Sequence, residues 1–175
     1  LRGLSLAALA AGFGALGIRA ADQGVFSPGR GAAFDAWRLP SDMTSPEAMV
    51  AAAVLAASPH NIQNWWFAVD VAGGHPTRIA LHDDATRSLG AVDPMRREAH
   101  LGLGCAAANL ELAAAAGGRP ATTTWWPTGP SGAACVAELG TGPASADDPL
   151  WLAIPRRYSD RGAYPAPGPQ PADLR

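Results

Sequence analysis

Lysine does not occur in this chain, so every fixed positive charge comes from one of 13 arginines. The bias accompanies an excess of Ala, Gly and Pro and carries no functional weight by itself. Against 15 Asp and Glu it leaves a net charge of -2 at pH 7, without the basic stripe that displaces phosphate counterions, and this excludes nucleic acid as a partner. Charged residues make up 16% of the chain and hydrophobic ones 48%, which excludes a disordered or acidic-tail protein. Cysteine is scarce: Cys105 and Cys135 have no metal-type spacing, the four His are scattered, and no metal site is expected. Both thiols are expected to be buried and unreactive. A long apolar run is missing too. Leu4 to Ile18, uncharged between Arg2 and Arg19, is shorter than the roughly 20 residues that span a bilayer.

The whole chain has 175 residues, enough for one full domain and short for two. Residues 1–21 read as a signal-like or anchor-like segment, with a buried helix as the alternative, although its glycines weaken helix propensity. On the first reading the protein is exported to the cell envelope or tethered to the membrane through this segment; on the second it is cytoplasmic. The chain begins with Leu rather than Met, so its true start is expected to lie upstream. Residues 22–44 form an extended arm rich in Gly and Pro. A domain follows over 45–147. Ser45, Pro46 and Glu47 supply an N-cap, a first-turn proline and a dipole-matched acid for a helix that breaks at Ser58-Pro59. Trp65–Val71 and Arg78–His82 read as a hairpin across GGHP. Asp93-Pro94 repeats the cap logic for a long helix ending at Gly117-Gly118, expected to be buried on most faces. Strands at 121–126 and 133–139 complete an α+β domain, and residues 148–175 open something new.

Two segments carry chemistry. SPHNIQNWWF follows the first helix, and RRYSDRGAY lies near the C-terminus. An amide side chain carries both a donor and an acceptor, so Asn61 and Gln63 suit a ligand edge of mixed polarity, and Ser58 can donate beside them. His60 lies between them. Asn61 also suits a helix C-cap, a role compatible with the first. Arg157, Ser159 and Arg161 alternate, so extended backbone would project them to one side as a phosphate clamp; a solvated basic turn is the plainer alternative. Trp65 and Trp66 read as core and strand residues. Asp93, Glu98 and His100 in DPMRREAH could be mistaken for a catalytic cluster, but Asp93 is better explained as an N-cap.

The first segment resembles the Ser, Asn, Gln and Trp motif of the nitroreductase-like FMN-binding family, and the second resembles that family's Arg-x-Ser-x-Arg motif. Their order is inverted relative to an ordinary member, as if Arg156 to Tyr164 opened a second copy of the domain. This is similar to the double-repeat, Acg-type branch, which is often accompanied by a Tat-like export signal. DQGVF at 22–26, RSLGAVDP at 87–94 and REAHLGLGCAAANLELAA in the long helix add to the resemblance. It implies a nitroreductase fold: a first repeat over 45–147 and the start of a second over 148–175. It further implies an FMN held by Ser58, His60, Asn61 and Gln63 of one repeat and Arg157, Ser159 and Arg161 of the other, an intramolecular pseudo-dimer. GRGAAFDAWR at 29–38 is at best a degenerate relic of the clamp in the first repeat, so one flavin per chain is expected. The implied activity is electron transfer from NAD(P)H through the flavin to a small-molecule substrate: a nitro compound, a quinone or a similar acceptor. The alternative is a protein that binds or sequesters FMN without turnover. Where the family has Pro before the Trp, this chain has Asn64, which implies a less rigid turn.

Overall fold

The computed structural model describes residues 14–22, 32–38, 42–159 and 162–163. Residues 14–22, which run from the expected signal-like segment into the first residue of the expected arm, form a helix, α1, on which Leu16 and Ile18 are exposed. Among the described residues no helix is long and apolar enough to cross a membrane. Part of the expected arm, Ala32–Trp37, is a 3-10 helix.

Helix α2 (Pro46–Val54) begins as the sequence dictates, with Ser45 Oγ accepting the Ala48 N–H at 3.2 Å and Pro46 in the first turn. It ends three residues short of the expected break, because the Leu55 and Ala56 amides turn back to the carbonyls of Ala52 and Ala53. Strands β1 (Trp65–Ala72) and β2 (His75–Asp83) form the expected hairpin. The turn is tighter than GGHP, since Gly73 and Gly74 supply its two left-handed residues and His75 and Pro76 already belong to β2. Helix α3 (Arg97–Ala116) starts three residues later than the Asp93-Pro94 signal suggests. Asp93 still caps it, from six residues away: its Oδ2 accepts the Ala99 N–H at 3.0 Å. Strands β3 (Ala121–Trp125) and β4 (Cys135–Leu139) and a short helix α4 (Pro149–Ala153) follow, the last capped by Asp148.

The fold is therefore α+β, with a four-stranded antiparallel sheet in the order β1-β2-β4-β3. One core cluster joins Met49, Ala52, Leu55, Ile79 and Leu110, burying α2 and α3 against the sheet; full burial of each large side chain contributes about 1.5–3 kcal/mol. Trp151 and Ile154 enter the same cluster, so the segment that carries α4 packs onto the domain it follows.

Two expectations about α3 need correction. It is buried along one side only: Leu101 is 70% exposed, and Cys105 and Ala108 are exposed with it. Cys105 is thus an exposed free thiol, whereas Cys135, the first residue of the interior strand β4, is buried, and burial with the nearby Glu111 raises its pKa to about 11. The i, i+4, i+7 spacing of Leu101, Cys105 and Ala108 is one helical face, and the apolar composition of α3 hid it.

Register decides which side chains meet at one end of the sheet. Trp65 pairs with Asp83, and Cys135 pairs with both Leu81 and Trp125, so Trp65, Asp83 and Trp125 lie at one end. The N-terminus of α3 comes to the same end, because Arg96 reaches Asp83.

Candidate functional site

The loop between α2 and β1 is a tightly wound turn. Asn61 N–H donates to the Ser58 carbonyl at 3.0 Å, Ile62 N–H to Pro59 at 3.1 Å, and Trp65 N–H to Gln63 at 2.8 Å. Ser58 Oγ accepts the Gln63 N–H at 2.9 Å, closing the turn from inside. This winding forces His60, Asn61 and Gln63 into left-handed backbone, with φ of 47°, 55° and 49°. Each such residue costs about 1–2 kcal/mol against ordinary helical geometry, least for Asn. Gly102 of α3 lets the turn seat closely, since a Cβ there would meet Pro59 Cδ at 3.3 Å.

Within the turn, Gln63 Nε2 donates to Asn61 Oδ1 at 3.0 Å. That bond leaves the amide hydrogens of Asn61, an exposed residue, and Oε1 of the half-buried Gln63 with no hydrogen bond among the described residues, a donor and an acceptor two residues apart. Ser58 is half-buried, with its hydroxyl hydrogen still available, while His60 is exposed. Asn64, where the resemblance leads one to expect Pro, is fully buried, and its Nδ2 donates to Asp83 Oδ1 at 2.9 Å. A side-chain tie thus replaces the rigidity a proline would give. Its Oδ1 is buried without a partner among the described residues. Arg87 clamps the turn from outside, donating to the Gln63 carbonyl at 3.1 Å, and Asp84 N–H donates to the Asn64 carbonyl at 2.9 Å.

Of the second motif, Arg157 comes to this neighbourhood. Its Nε and Nη2 donate to the Leu55 carbonyl at 3.0 and 2.8 Å, capping the end of α2 three residues before Ser58. Its Nη1 makes no hydrogen bond among the described residues. Ser159 is exposed with no side-chain hydrogen bond among them, and Arg161 lies outside the described residues.

Behind the turn is a cleft of about 610 Å3, lined by Asp83, Arg96, His100, Leu103, Trp125 and Trp126. Asp83 is its polar centre: Arg96 Nη2 donates to both carboxylate oxygens, at 2.6 and 2.7 Å, and Asn64 donates to one of them. The pair is well shielded, with the Asp83 side chain 14% and the Arg96 side chain 24% exposed. His100 Nε2 stands 4.0 Å from Asp83 Oδ2, and its ring meets Trp126 edge-on at 5.7 Å. Arg96 and Trp126 are themselves left-handed, with φ of 53° and 50°. Trp126 is held there by its N–H on the Ala134 carbonyl at 2.9 Å and its own carbonyl on the Gly129 N–H at 3.0 Å.

These two, with His60, Asn61 and Gln63, are all the non-glycine residues of positive φ among the described residues, and every one belongs to the turn or the cleft. Backbone held in such a state points to a functional site. Reading the sequence singled out His100 only to set it aside, and missed Asp83, Arg96 and Trp126. The Trp125-Trp126 pair beside PTGP was its only visible trace.

Charges around the cleft are fixed. Burial opposes ionisation of Asp93, but the amides of Ala99, Glu98 and Arg97 and the charge of Arg96 outweigh it and hold its carboxyl below the usual 3.8. The Thr86 hydroxyl does the same for Asp84 despite some burial, helped by the Thr86 amide, Arg87 and Arg96. On the outer face of the hairpin, His82 stacks on Trp66 at 3.7 Å, and burial followed by the Arg78 charge lowers its pKa. Comparison with protein-family models and with curated proteins gives no match for this chain.

Proposed function

We propose that the chain has a nitroreductase-like fold and contributes one wall of an FMN site in an oxidoreductase, with NAD(P)H as electron donor and a nitro compound, quinone or similar molecule as acceptor. The observation that carries the reading is the amide pair in the strained turn. With Gln63 Nε2 fixed on Asn61 Oδ1, the turn presents a donor and an acceptor two residues apart, complementary to the mixed pyrimidine edge of an isoalloxazine ring. The residues therefore fit the ring end of the group. Ser58 would donate to a ring or ribityl oxygen, and His60 would flank the edge. Arg157, beside the turn, has one terminal nitrogen left for a phosphate, and Ser159 and Arg161 would complete the clamp.

When bound, FMN supplies the redox chemistry, accepting hydride and passing electrons on, and the protein supplies orientation and electrostatics. The chain's own part is to hold the amide pair rigid, through Ser58 Oγ, the Arg87 clamp and the Asn64–Asp83 tie. In this reading residues 148–175 open a second repeat, the pair of repeats forms a pseudo-dimer around one flavin, and residues 1–21 direct the protein to the cell envelope.

The test is a titration with FMN followed by backbone amide NMR, which detects weak binding. Saturable shifts centred on Ser58 to Asn64 and Arg157 are expected. No shifts at millimolar FMN, or shifts elsewhere only, would overturn the reading. Anaerobic NADPH then separates the alternatives: bleaching of the visible flavin band supports the oxidoreductase, and a persistent band supports sequestration without turnover.

A further inference from the structure

We propose that the cleft between Asp83, Arg96, His100 and the Trp125-Trp126 pair binds an uncharged, planar aromatic molecule bearing a carbonyl-type acceptor. The inference does not rest on the flavin reading. Its shape and walls come first. Trp125, 45% exposed, and Trp126, edge-on to His100, line with Leu103 a cleft of about 610 Å3 whose walls are mainly apolar, the form expected of a small-molecule site. Flat aromatic walls favour a flat aromatic occupant by offset or edge-to-face stacking.

The polar inventory then sets the substituent. Both oxygens of Asp83 are engaged within the protein, by Arg96 Nη2 and Asn64 Nδ2. Arg96 uses that one nitrogen alone, so its Nη1 and Nε make no hydrogen bond among the described residues. His100 Nε2, at 4.0 Å from Asp83, lies beyond hydrogen-bond range. The excess of N–H donors in the cleft therefore comes from Arg96, since a neutral imidazole brings one donor and one acceptor, and a carbonyl oxygen is the complement of the Arg96 donors.

Charge decides between a neutral acceptor and a carboxylate. Arg96 is neutralised in contact by Asp83 and also lies in the field of Asp84 and Asp93. The N-terminus of α3 offers no anion site either, since Asp93 already takes up its first amides. An anion would meet this acidic surround, whereas a neutral carbonyl would not.

Acetophenone, benzoate and ethylbenzene share a ring and differ in the group presented to Arg96, so they serve as probes. Each is titrated into the 175-residue chain while the indole N–H signals of Trp125 and Trp126 and the amide of His100 are followed by NMR. Acetophenone should bind saturably, about tenfold more tightly than either comparator, the ratio expected for one hydrogen bond to a charged donor. Trp125→Leu, at a half-exposed strand position, should weaken acetophenone severalfold while thermal melting confirms the fold. His100→Ala, also solvent-accessible, should weaken it less. Benzoate binding as tightly as acetophenone, no saturable shift up to the solubility limit, or unchanged affinity in folded Trp125→Leu would each overturn the proposal. Because no flavin is present, failure here leaves the FMN titration of the Ser58–Asn64 turn unaffected.

Discussion

The Ser58–Asn64 turn and the cleft behind it share the same kind of strained backbone and reach it differently. In the turn, three left-handed residues fall within one short stretch and are fixed mostly by bonds inside that stretch. In the cleft, Arg96 and Trp126 come from opposite ends of α3 and β3, and each is fixed by tertiary partners: Asp83 for the one, Ala134 for the other. The turn is a local device and the cleft a tertiary one. They meet at Asp83, which holds Asn64 of the turn and Arg96 of the cleft on one carboxylate. Strain in both can be tolerated because α2, α3 and the sheet beneath them are packed with small side chains at close range.

The largest effect should come from cutting that junction. Asp83→Ala leaves the Arg96 guanidinium and the Asn64 amide without their acceptor, and should cost about 2–3 kcal/mol, since the pair is shielded but not fully buried. For a chain of this size that is a fall of roughly 5–10 °C in melting temperature, read by calorimetry. A melt unchanged within 1–2 °C would mean that turn and cleft are not coupled through this residue. Next is Arg157→Met, which removes two charged hydrogen bonds from the Leu55 carbonyl; a loss of about 1.5–3 kcal/mol is expected in a denaturant titration. Ser58→Ala should cost about 1 kcal/mol by freeing the Gln63 amide, with faster hydrogen exchange confined to the turn.

Smaller still, and of opposite sign, is Gln63→Gly. Relief of about 1–2 kcal/mol of left-handed strain is offset by the extra freedom of glycine in the unfolded chain, about 0.5–1 kcal/mol, so stability should rise slightly while FMN binding weakens. A variant that gains stability and keeps full FMN affinity would show the strain to be unrelated to the ligand.

Asp93 is held below 3.8 in the folded chain, so its contribution to stability is fully present above 3.8 and lost as pH falls through the lower folded value. Asp93→Asn should flatten that acid limb of the stability curve and lower the curve above pH 5 by a constant amount without changing its slope there, a region about one unit clear of the ordinary carboxylate range.

Local signals made the elements legible. Ser45-Pro46-Glu47 fixed the start of α2, Gly73-Gly74 the hairpin, and Gly117-Gly118 the end of α3. The turn was legible as well, because its polar residues are contiguous. What could not be read was anything that depends on register. Asp83 looks like a strand-end acid until β1 and β4 pair around β2 and bring it to Trp65 and Trp125. Arg96 looks like one more helix-start arginine until Asp93 takes over the cap and leaves it left-handed. The exposed face of α3 was obscured for a related reason: alanine, glycine and cysteine mark no side of a helix as polar, so only packing shows that Cys105 faces out.

The most direct test of the account is the affinity for FMN of the wild-type chain against Asn61→Asp. Aspartate keeps the size and the left-handed tolerance of Asn61 but replaces its amide donor with an acceptor. Binding measured by NMR titration should weaken about tenfold or more, with the melting temperature little changed. Equal affinity for the two proteins would contradict the claim that the Asn61–Gln63 amide pair reads the flavin edge.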